Sequence, residues 1–196
     1  LTQDVEDLRA AGEPKADLDW AAAQQFLGQL QNLKSVNTNA YASDRADDAG
    51  GFAYTPGAGP AVTNADGKVT LRSYGSMTYA GLLALIYAQV DAQDVRVQSA
   101  KDWASRHWSL DENPGMGQEG LYYFFNVLAK SLAAAGDETL TLPDGRTVVW
   151  REEIARKLIA LQKPDGFWVN ENNRWWEADP NLVTAYTMLA LATALE

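Results

Sequence analysis

The chain has 196 residues, of which 46% are apolar and 10% aromatic, a composition that predicts one folded domain over 1–196 and excludes disordered and fibrous classes. Its formal net charge is -10, with 16 Lys and Arg interspersed among 26 Asp and Glu, which argues against nucleic-acid binding. The sequence contains no cysteine, so it can form neither disulfides nor thiolate metal sites, and it suits either redox compartment.

Helical periodicity and helix-end signals predict an all-α fold with almost no strand. In chain order, the predicted helices cover 2–11, 17–32, 75–90, 94–108, 116–135, 150–162 and 180–195. Asp17, Asp94 and Asp179 are the predicted N-caps of the second, fourth and seventh helices, and Pro180 suits a first turn. No apolar run reaches the roughly 18 residues that a membrane span requires.

The first predicted helix begins without a starting Met or a signal sequence. We therefore expect the chain to be a fragment or processed form of a longer protein. Two long connections, 33–74 and 136–149, each contain a hairpin pattern in which Asp66-Gly67 or Asp144-Gly145 separates runs of β-branched residues. These patterns predict small β-hairpins that decorate a helical body.

The predicted helices fall into two alternating classes. The run Thr78 to Leu85 matches Thr184 to Leu191 at the Thr and at Leu-Ala-Leu, and both runs are apolar nearly all round. The helices at 20–31, 95–108 and 150–162 are amphipathic and carry many charges. Alternation of buried and half-exposed helices predicts an inner and an outer ring.

A short sequence repeat accompanies the outer helices. The run from Leu158 to Trp168 has the form L-x-x-x-Q-x-x-x-G-x-W, with Gln162, Gly166 and Trp168 at the fixed positions. A second copy ends at Gln31 and has its glycine–aromatic half at 50–52, and a third, over 100–108, is degenerate. These units resemble the QW repeats of squalene and oxidosqualene cyclases, and the wider chain resembles bacterial prenyltransferase and squalene-oxidase repeat proteins.

The resemblance implies a partial α/α toroid of the terpene-cyclase and protein-prenyltransferase type. It implies structural roles for Gln31, Gln162, Gly166 and Trp168, with each Gln capping the next helix and stacking on the aromatic residue. Since a closed double ring of this type has roughly twelve helices, seven helices would leave part of the inner face exposed. We therefore expect either further N-terminal helices in a parent chain or self-association.

The catalytic signatures of these enzymes are not matched. Class II cyclases use a D-x-D-D acid, whereas Asp44 to Asp48 reads D-x-x-D-D, which favours a solvated acidic turn and leaves Asp47 and Asp48 as candidate acids. The zinc site of protein prenyltransferases needs Cys and His ligands, and the single His107 cannot build it. We expect His107 to cap or pack a helix end, and we expect no metal and no cofactor.

The remaining candidates are carboxylates beside aromatic residues. Glu119 and Glu177 are further candidate catalytic groups, although first-turn acids also stabilise helix dipoles. The aromatic residues beside them are the candidate ligand-binding residues, since such cavities suit sugars, isoprenoids or cations. These are Tyr122, Tyr123, Trp175 and Trp176.

Three functions follow from these features. The first is a domain of unproven activity that binds an isoprenoid, another apolar ligand or a partner in its concave centre. The second is an active terpenoid cyclase whose acid lies outside this fragment or at Asp47 and Asp48. The third is a carbohydrate-acting enzyme that uses Glu112, Glu119 and Glu177. An enclosed apolar cavity would favour isoprenoids, and an open groove with exposed Trp would favour glycans.

Overall fold

A computed structural model describes residues 7, 8, 10–12 and 19–196 of the chain. In this part, the protein is mostly helical, with two small antiparallel hairpins. The helices are α1 (Trp20–Gly28), α2 (Gly75–Tyr87), α3 (Val95–Arg106), α4 (Leu121–Ala135), α5 (Trp150–Leu161) and α6 (Pro180–Leu195). The strands are β1 (Ala61–Thr63), β2 (Val69–Leu71), β3 (Leu140–Thr141) and β4 (Thr147–Val148).

Two of the three predicted N-caps are observed. The Asn181 backbone N–H donates to Asp179 Oδ1 (2.8 Å) at the start of α6, and the Arg96 N–H donates to Asp94 Oδ1 (2.9 Å) at the start of α3. The predicted cap Asp17 lies outside the described residues. Asp19 caps α1 instead, where it accepts a hydrogen bond from the Ala22 N–H (2.9 Å).

Two helices fall short of a predicted end by four or five residues, the others by no more than three, and the first predicted helix is described only in part. Helix α1 ends at Gly28 rather than at 32, because the chain turns so that Gln31 pairs with Phe52. Helix α4 begins at Leu121 rather than at 116, because Gly117 and Gly120 have φ of 59° and 65°, a left-handed backbone that a helix does not continue. Of the helix predicted over 2–11, residues 7, 8 and 10 are helical, and 1–6 and 9 lie outside the described residues.

Both predicted hairpins form. Ala61 lies opposite Leu71 and Thr63 opposite Val69 in the first, and Leu140 lies opposite Val148 in the second. Each turn contains the glycine of its Asp-Gly pair in the left-handed region, as this turn chemistry requires. The hairpins pair with no other named strand in the described part of the chain, and Leu140 and Val148 of the second hairpin are part of the hydrophobic core.

The helices pack as two layers. Helix α4 lies between α2 and α6 and packs against both, while α1 and α3 pack against α2, and α5 packs against α6. The middle helix is the most deeply buried, with Phe124, Phe125, Leu128 and Leu132 at most 1% exposed. Burial of these side chains stabilises the fold by about 1.5–3 kcal/mol each. The apolar helices α2, α4 and α6 therefore pack side by side, and each amphipathic helix packs against at least one of them.

The two QW-like units that are not degenerate, numbered here in chain order, make the same contacts between side chains and backbone. In the first, the Gln31 Nε2–H donates to the Gly50 carbonyl (2.8 Å), and the Phe52 N–H donates to Thr78 Oγ1 of α2 (3.1 Å). The second unit repeats both contacts, through Gln162 to Gly166 (2.9 Å) and Trp168 to Thr184 of α6 (3.2 Å). The 33–49 segment is thus an insertion into a turn that the second unit makes directly.

The glutamines close this turn and do not cap the next helix. Gln162 donates to a carbonyl within its own turn, and Gln31 donates to the Gly50 and Arg96 carbonyls, whereas a cap would accept from first-turn N–H groups. The expected capping by Gln31 and Gln162 is therefore wrong. Trp168 is 3% exposed and donates its Nε1–H to the Leu158 carbonyl (2.7 Å), which ties the turn to α5.

Helix α6 exposes apolar side chains on the face away from α4. Met188, Leu189 and Leu195 are 55%, 48% and 77% exposed, and Ala185 and Ala192 are exposed at the same helical spacing. A helix that is apolar on its outward face has the composition of a buried helix. This stripe, which we call the α6 outer stripe, consists of Ala185, Met188, Leu189, Ala192 and Leu195.

Candidate binding site

A cavity of about 390 Å³ opens where the first turns of α2, α4 and α6 meet. Because these helices are neighbours in one layer and their N-terminal ends lie on one side, residues far apart in the sequence share its wall. Met77, Met116 and Leu182 contribute aliphatic surface. The aromatic wall consists of Tyr54, Tyr74, Tyr123, Tyr186, Trp175 and Trp176.

The four tyrosines come from different elements. Tyr74 precedes α2, Tyr123 is in α4 and Tyr186 in α6, while Tyr54 follows the first QW-like turn. The rings of Tyr123 and Tyr186 meet edge-on, with centroids 5.9 Å apart. In the described part of the chain, no group hydrogen-bonds to any of the four hydroxyls, so a ligand in the cavity would find phenolic donors available.

Burial raises the pKa of two of these phenols, which extends to more alkaline pH the range in which they are neutral. Burial is the main cause of the raised pKa of Tyr123, and the neighbouring Tyr186 and Tyr54 add to it. Burial, with Tyr54 and Tyr123 nearby, also raises the pKa of Tyr74 far above its ordinary value. At neutral pH, these side chains therefore present O–H donors and aromatic faces, and no phenolate charge.

Trp175 and Trp176 form a strained turn at the cavity mouth. Their φ angles are 62° and 60°, in the left-handed region that non-glycine residues seldom adopt. They are 49% and 77% exposed, so neither indole is held there by burial alone. Left-handed non-glycine residues cost about 1–3 kcal/mol each and cluster at ligand-binding sites. The structure thus maintains two indoles at the mouth of the cavity at an energetic cost.

Glu177 anchors this turn to α4. It is fully buried, and its Oε2 and Oε1 accept hydrogen bonds from the backbone N–H groups of Tyr122 (3.2 Å) and Tyr123 (2.8 Å). The Asn170 side-chain amide donates to Oε2 as well (2.8 Å). The carboxylate therefore caps α4 from a distant loop and complements its dipole. Its oxygens are occupied, which leaves this candidate catalytic residue in a positioning role.

Asn113 makes the corresponding contact for α2. Its Oδ1 accepts from the Ser76 N–H (2.9 Å), and its amide donates to Ser76 Oγ (3.2 Å) and to the Glu119 carbonyl (2.9 Å). The loop before α4 thus caps α2, as the loop before α6 caps α4. Two helices of the cavity wall, α2 and α4, are therefore capped in the same way, each by a side chain from a later loop.

Among the predicted candidate carboxylates, Glu119 lines the cavity with a side chain that stays partly exposed to solvent. Its side chain is 41% exposed, and its Oε2 lies 4.0 Å from Arg174 Nε. Arg174 also places its guanidinium carbon 4.4 Å from the centroid of the Trp175 ring. A carboxylate, a guanidinium and an indole therefore meet at the mouth.

The other candidate carboxylates lie elsewhere. Asp48 is 1% exposed, and it accepts hydrogen bonds from Ser43 Oγ (2.7 Å) and the Ser73 N–H (3.0 Å), which fastens the inserted loop. The Asp47 side chain is 54% exposed, and its Oδ2 lies 3.6 Å from the Arg72 guanidinium. Neither lines the cavity, nor does the exposed Glu112.

His107 and Tyr122 also lie away from the cavity. His107 is the C-cap of α3, stacks on Trp103 at 4.2 Å between centroids, and places Nε2 3.0 Å from the Asp47 carbonyl. Tyr122 is 3% exposed and packs edge-on against Phe125 in the core. Of the four candidate ligand-binding residues, Tyr123, Trp175 and Trp176 share the wall, and Tyr122 does not.

The sequence reading missed three wall tyrosines. Tyr54, Tyr74 and Tyr186 lie in separate segments with no carboxylate next to them, and the reading relied on that adjacency. A usable signal did exist, because Tyr186 lies two residues after the Thr184 that matches Thr78. That spacing places it near the start of α6, beside the position where the preceding loops converge.

Among the described residues, no group of three His, Asp or Glu side chains could hold a metal ion. In the same residues, no helix combines the length and apolar character that crossing a bilayer demands.

Comparison with family models, curated proteins and solved structures gave a uniform result. No significant match was found in any of the three.

Proposed function

We propose that this chain is a helical repeat domain that binds a small, largely apolar ligand in the cavity at the N-terminal ends of α2, α4 and α6. The observation that carries this proposal is a wall of six aromatic side chains around about 390 Å³. Ligand sites typically have about 300–1,000 Å³ and a mainly apolar lining with a few polar groups. Here the four tyrosine hydroxyls and Glu119 would provide those polar groups.

We further propose that the two helical layers are part of an α/α toroid like those of the cyclases that the QW-like units resemble. The alternation of apolar and amphipathic helices supports this, and so do the equivalent contacts of Gln31 with Gly50 and of Gln162 with Gly166. The fold would place the cavity on the concave side of the inner layer. A fold of this type hosts several chemistries and does not by itself assign one.

Binding is favoured over catalysis by the positions of the carboxylates. Asp47 and Asp48 do not line the cavity, and the oxygens of Glu177 are occupied by the α4 N–H groups and Asn170. Glu119 would be left as a single carboxylate, whereas glycoside hydrolysis ordinarily uses a pair about 5–10 Å apart. The exposed indoles of Trp175 and Trp176 nevertheless favour a glycan as the second candidate ligand, since an open mouth with exposed Trp suits a sugar ring.

A titration with two chemically distinct probes tests the proposal. Farnesol represents an apolar isoprenoid and cellohexaose a neutral glycan, and calorimetry measures the affinity of each. Tyr54→Ala removes a wall tyrosine that is 49% exposed, and Tyr87→Ala removes one that is 46% exposed on α2 and outside the cavity. We expect farnesol to bind, Tyr54→Ala to weaken it by about tenfold or more, and Tyr87→Ala to leave it unchanged.

Each other outcome has a defined meaning. Cellohexaose binding that depends on Tyr54, without farnesol binding, would replace the isoprenoid with a glycan as the ligand class. Equal effects of the two Ala variants would move the site away from the cavity. Binding of neither probe would overturn the proposal of an apolar ligand.

A further inference from the structure

The charged side chains in the cavity wall are of one sign. Glu119 and Glu177 are the ionisable acids among the described residues that line it, and no Lys or Arg is among them. Since Glu177 is buried and already accepts hydrogen bonds from Tyr123 and Asn170, Glu119 is the carboxylate that a ligand can approach.

The aromatic wall adds negative potential. The face of each ring carries the negative part of the aromatic quadrupole, and indole faces attract cations most strongly. The protein already uses this property, because the Arg174 guanidinium lies 4.4 Å from the Trp175 ring centroid and 4.0 Å from Glu119 Oε2. An organic cation is thus held between an indole and a carboxylate at the mouth.

The helix N-termini do not reverse this preference. Three N-termini near one cavity would ordinarily favour an anion. However, Glu177 accepts from the first-turn N–H groups of α4, Asp179 accepts from that of Asn181 in α6, and Asn113 accepts from that of Ser76 in α2. Two of these three caps are carboxylates, which offset the positive end of the helix dipole.

We propose that the cavity prefers a ligand that carries a weakly hydrated organic cation, such as a quaternary ammonium group, over a neutral ligand of the same shape. The cation would lie against the aromatic wall near Glu119, and Arg174 would compete with it for Trp175 and Glu119. This inference rests on the proposed function, because it names the ligand class of the same cavity.

Choline and 3,3-dimethyl-1-butanol test it, since they have the same shape and differ in the charge of the quaternary centre. Indole N–H NMR signals of Trp175 and Trp176, assigned with Trp→Phe variants, report binding at fixed ionic strength. We expect choline to bind at least about fivefold more tightly than the alcohol. Glu119→Gln should remove most of this preference, and Arg174→Ala should increase it.

A matched control distinguishes an effect of the cavity wall from an effect of the acidic protein surface. Glu171→Gln removes the same charge from an exposed position in the loop that carries Trp175 and Trp176, and it should leave the preference unchanged. If the alcohol binds as tightly as choline, or if Glu171→Gln acts as strongly as Glu119→Gln, the cation preference is refuted while the cavity remains a ligand site. If neither compound nor farnesol shifts the two indole signals, the proposed function fails together with this inference.

Discussion

Glu177 illustrates how one buried carboxylate can determine the shape of a site. Its oxygens accept from the N–H groups of Tyr122 and Tyr123 and from Asn170, and the adjacent Trp175 and Trp176 have a left-handed backbone. Removing the carboxylate would leave buried donors without a partner. The hydrogen bonds that compensate for the strained backbone of Trp175 and Trp176 would then be lost.

We predict that Glu177→Ala lowers the free energy of unfolding by about 2–4 kcal/mol, because two backbone N–H groups and an amide lose their acceptor. Urea unfolding measures this change. Glu177→Gln should fall between Glu177→Ala and the native protein, because its amide retains one acceptor oxygen. Glu171→Ala, an exposed change in the same loop, should have little effect, and an equal loss there would contradict the capping role.

Substitution of the two candidate aspartates should change the free energy of unfolding by different amounts in the same assay. Asp48→Asn disturbs a buried carboxylate bonded to Ser43 and Ser73, so we expect a loss of about 1–3 kcal/mol. Asp47→Asn changes a half-exposed side chain and should cost no more than about 0.5 kcal/mol. Neither change should weaken farnesol binding by more than the unfolded fraction explains, and a selective loss of binding would restore these residues as site candidates.

At the scale of elements, the repeated turn provides a matched pair of glycines. Gly50 and Gly166 have φ of 90° and 87° and accept the same glutamine hydrogen bond. Their surroundings differ, because a Cβ at Gly50 would overlap the Ser99 carbonyl oxygen, whereas at Gly166 no described atom beyond its chain neighbours lies within 4 Å of one.

We therefore predict that Gly166→Ala costs about 1–2 kcal/mol, the cost of a left-handed non-glycine residue. Gly50→Ala should cost more than about 3 kcal/mol, because the steric overlap with α3 adds to the same backbone strain. Thermal or urea unfolding of both variants measures the difference. Similar losses would indicate that the inserted loop moves away from α3 at little cost.

The elements also show how far the sequence determines the structure. Periodicity and the caps Asp94 and Asp179 predicted most helices to within a few residues, because those signals are local. The early end of α1 could not be predicted, since Gln31 leaves the helix to contact Gly50 and Arg96, far along the chain. The expected capping by Gln31 failed for the same reason, whereas Gln162 donates to the Gly166 carbonyl only four residues further on.

The site was less predictable than the fold. Glu119, Tyr123, Trp175 and Trp176 were identified because carboxylates and aromatic residues are adjacent in sequence there. Tyr54, Tyr74 and Tyr186 reach the cavity only through the packing of α2, α4 and α6, which adjacency does not report. Sequence also could not distinguish Glu177, which faces backbone N–H groups, from Glu119, which faces the mouth.

At the scale of the whole molecule, we expect the exposed α6 outer stripe to cause self-association. Met188 and Leu195 expose more than half of their surfaces on a helix with an apolar composition. We predict concentration-dependent association of this 21.4 kDa chain in light scattering. Met188→Glu should return it to the monomer mass, while Tyr87→Glu, a charge placed on an exposed residue of α2, should not. A monomer at every concentration would contradict the prediction.

Our central proposal is that a ligand occupies the aromatic cavity at the N-terminal ends of α2, α4 and α6. Intermolecular nuclear Overhauser contacts between bound farnesol and the protein test it most directly. We predict contacts between farnesol and the rings of Trp175, Tyr123 and Tyr186. Contacts instead to Phe167 and Met188, which line a separate cavity that includes part of the α6 outer stripe, would contradict it.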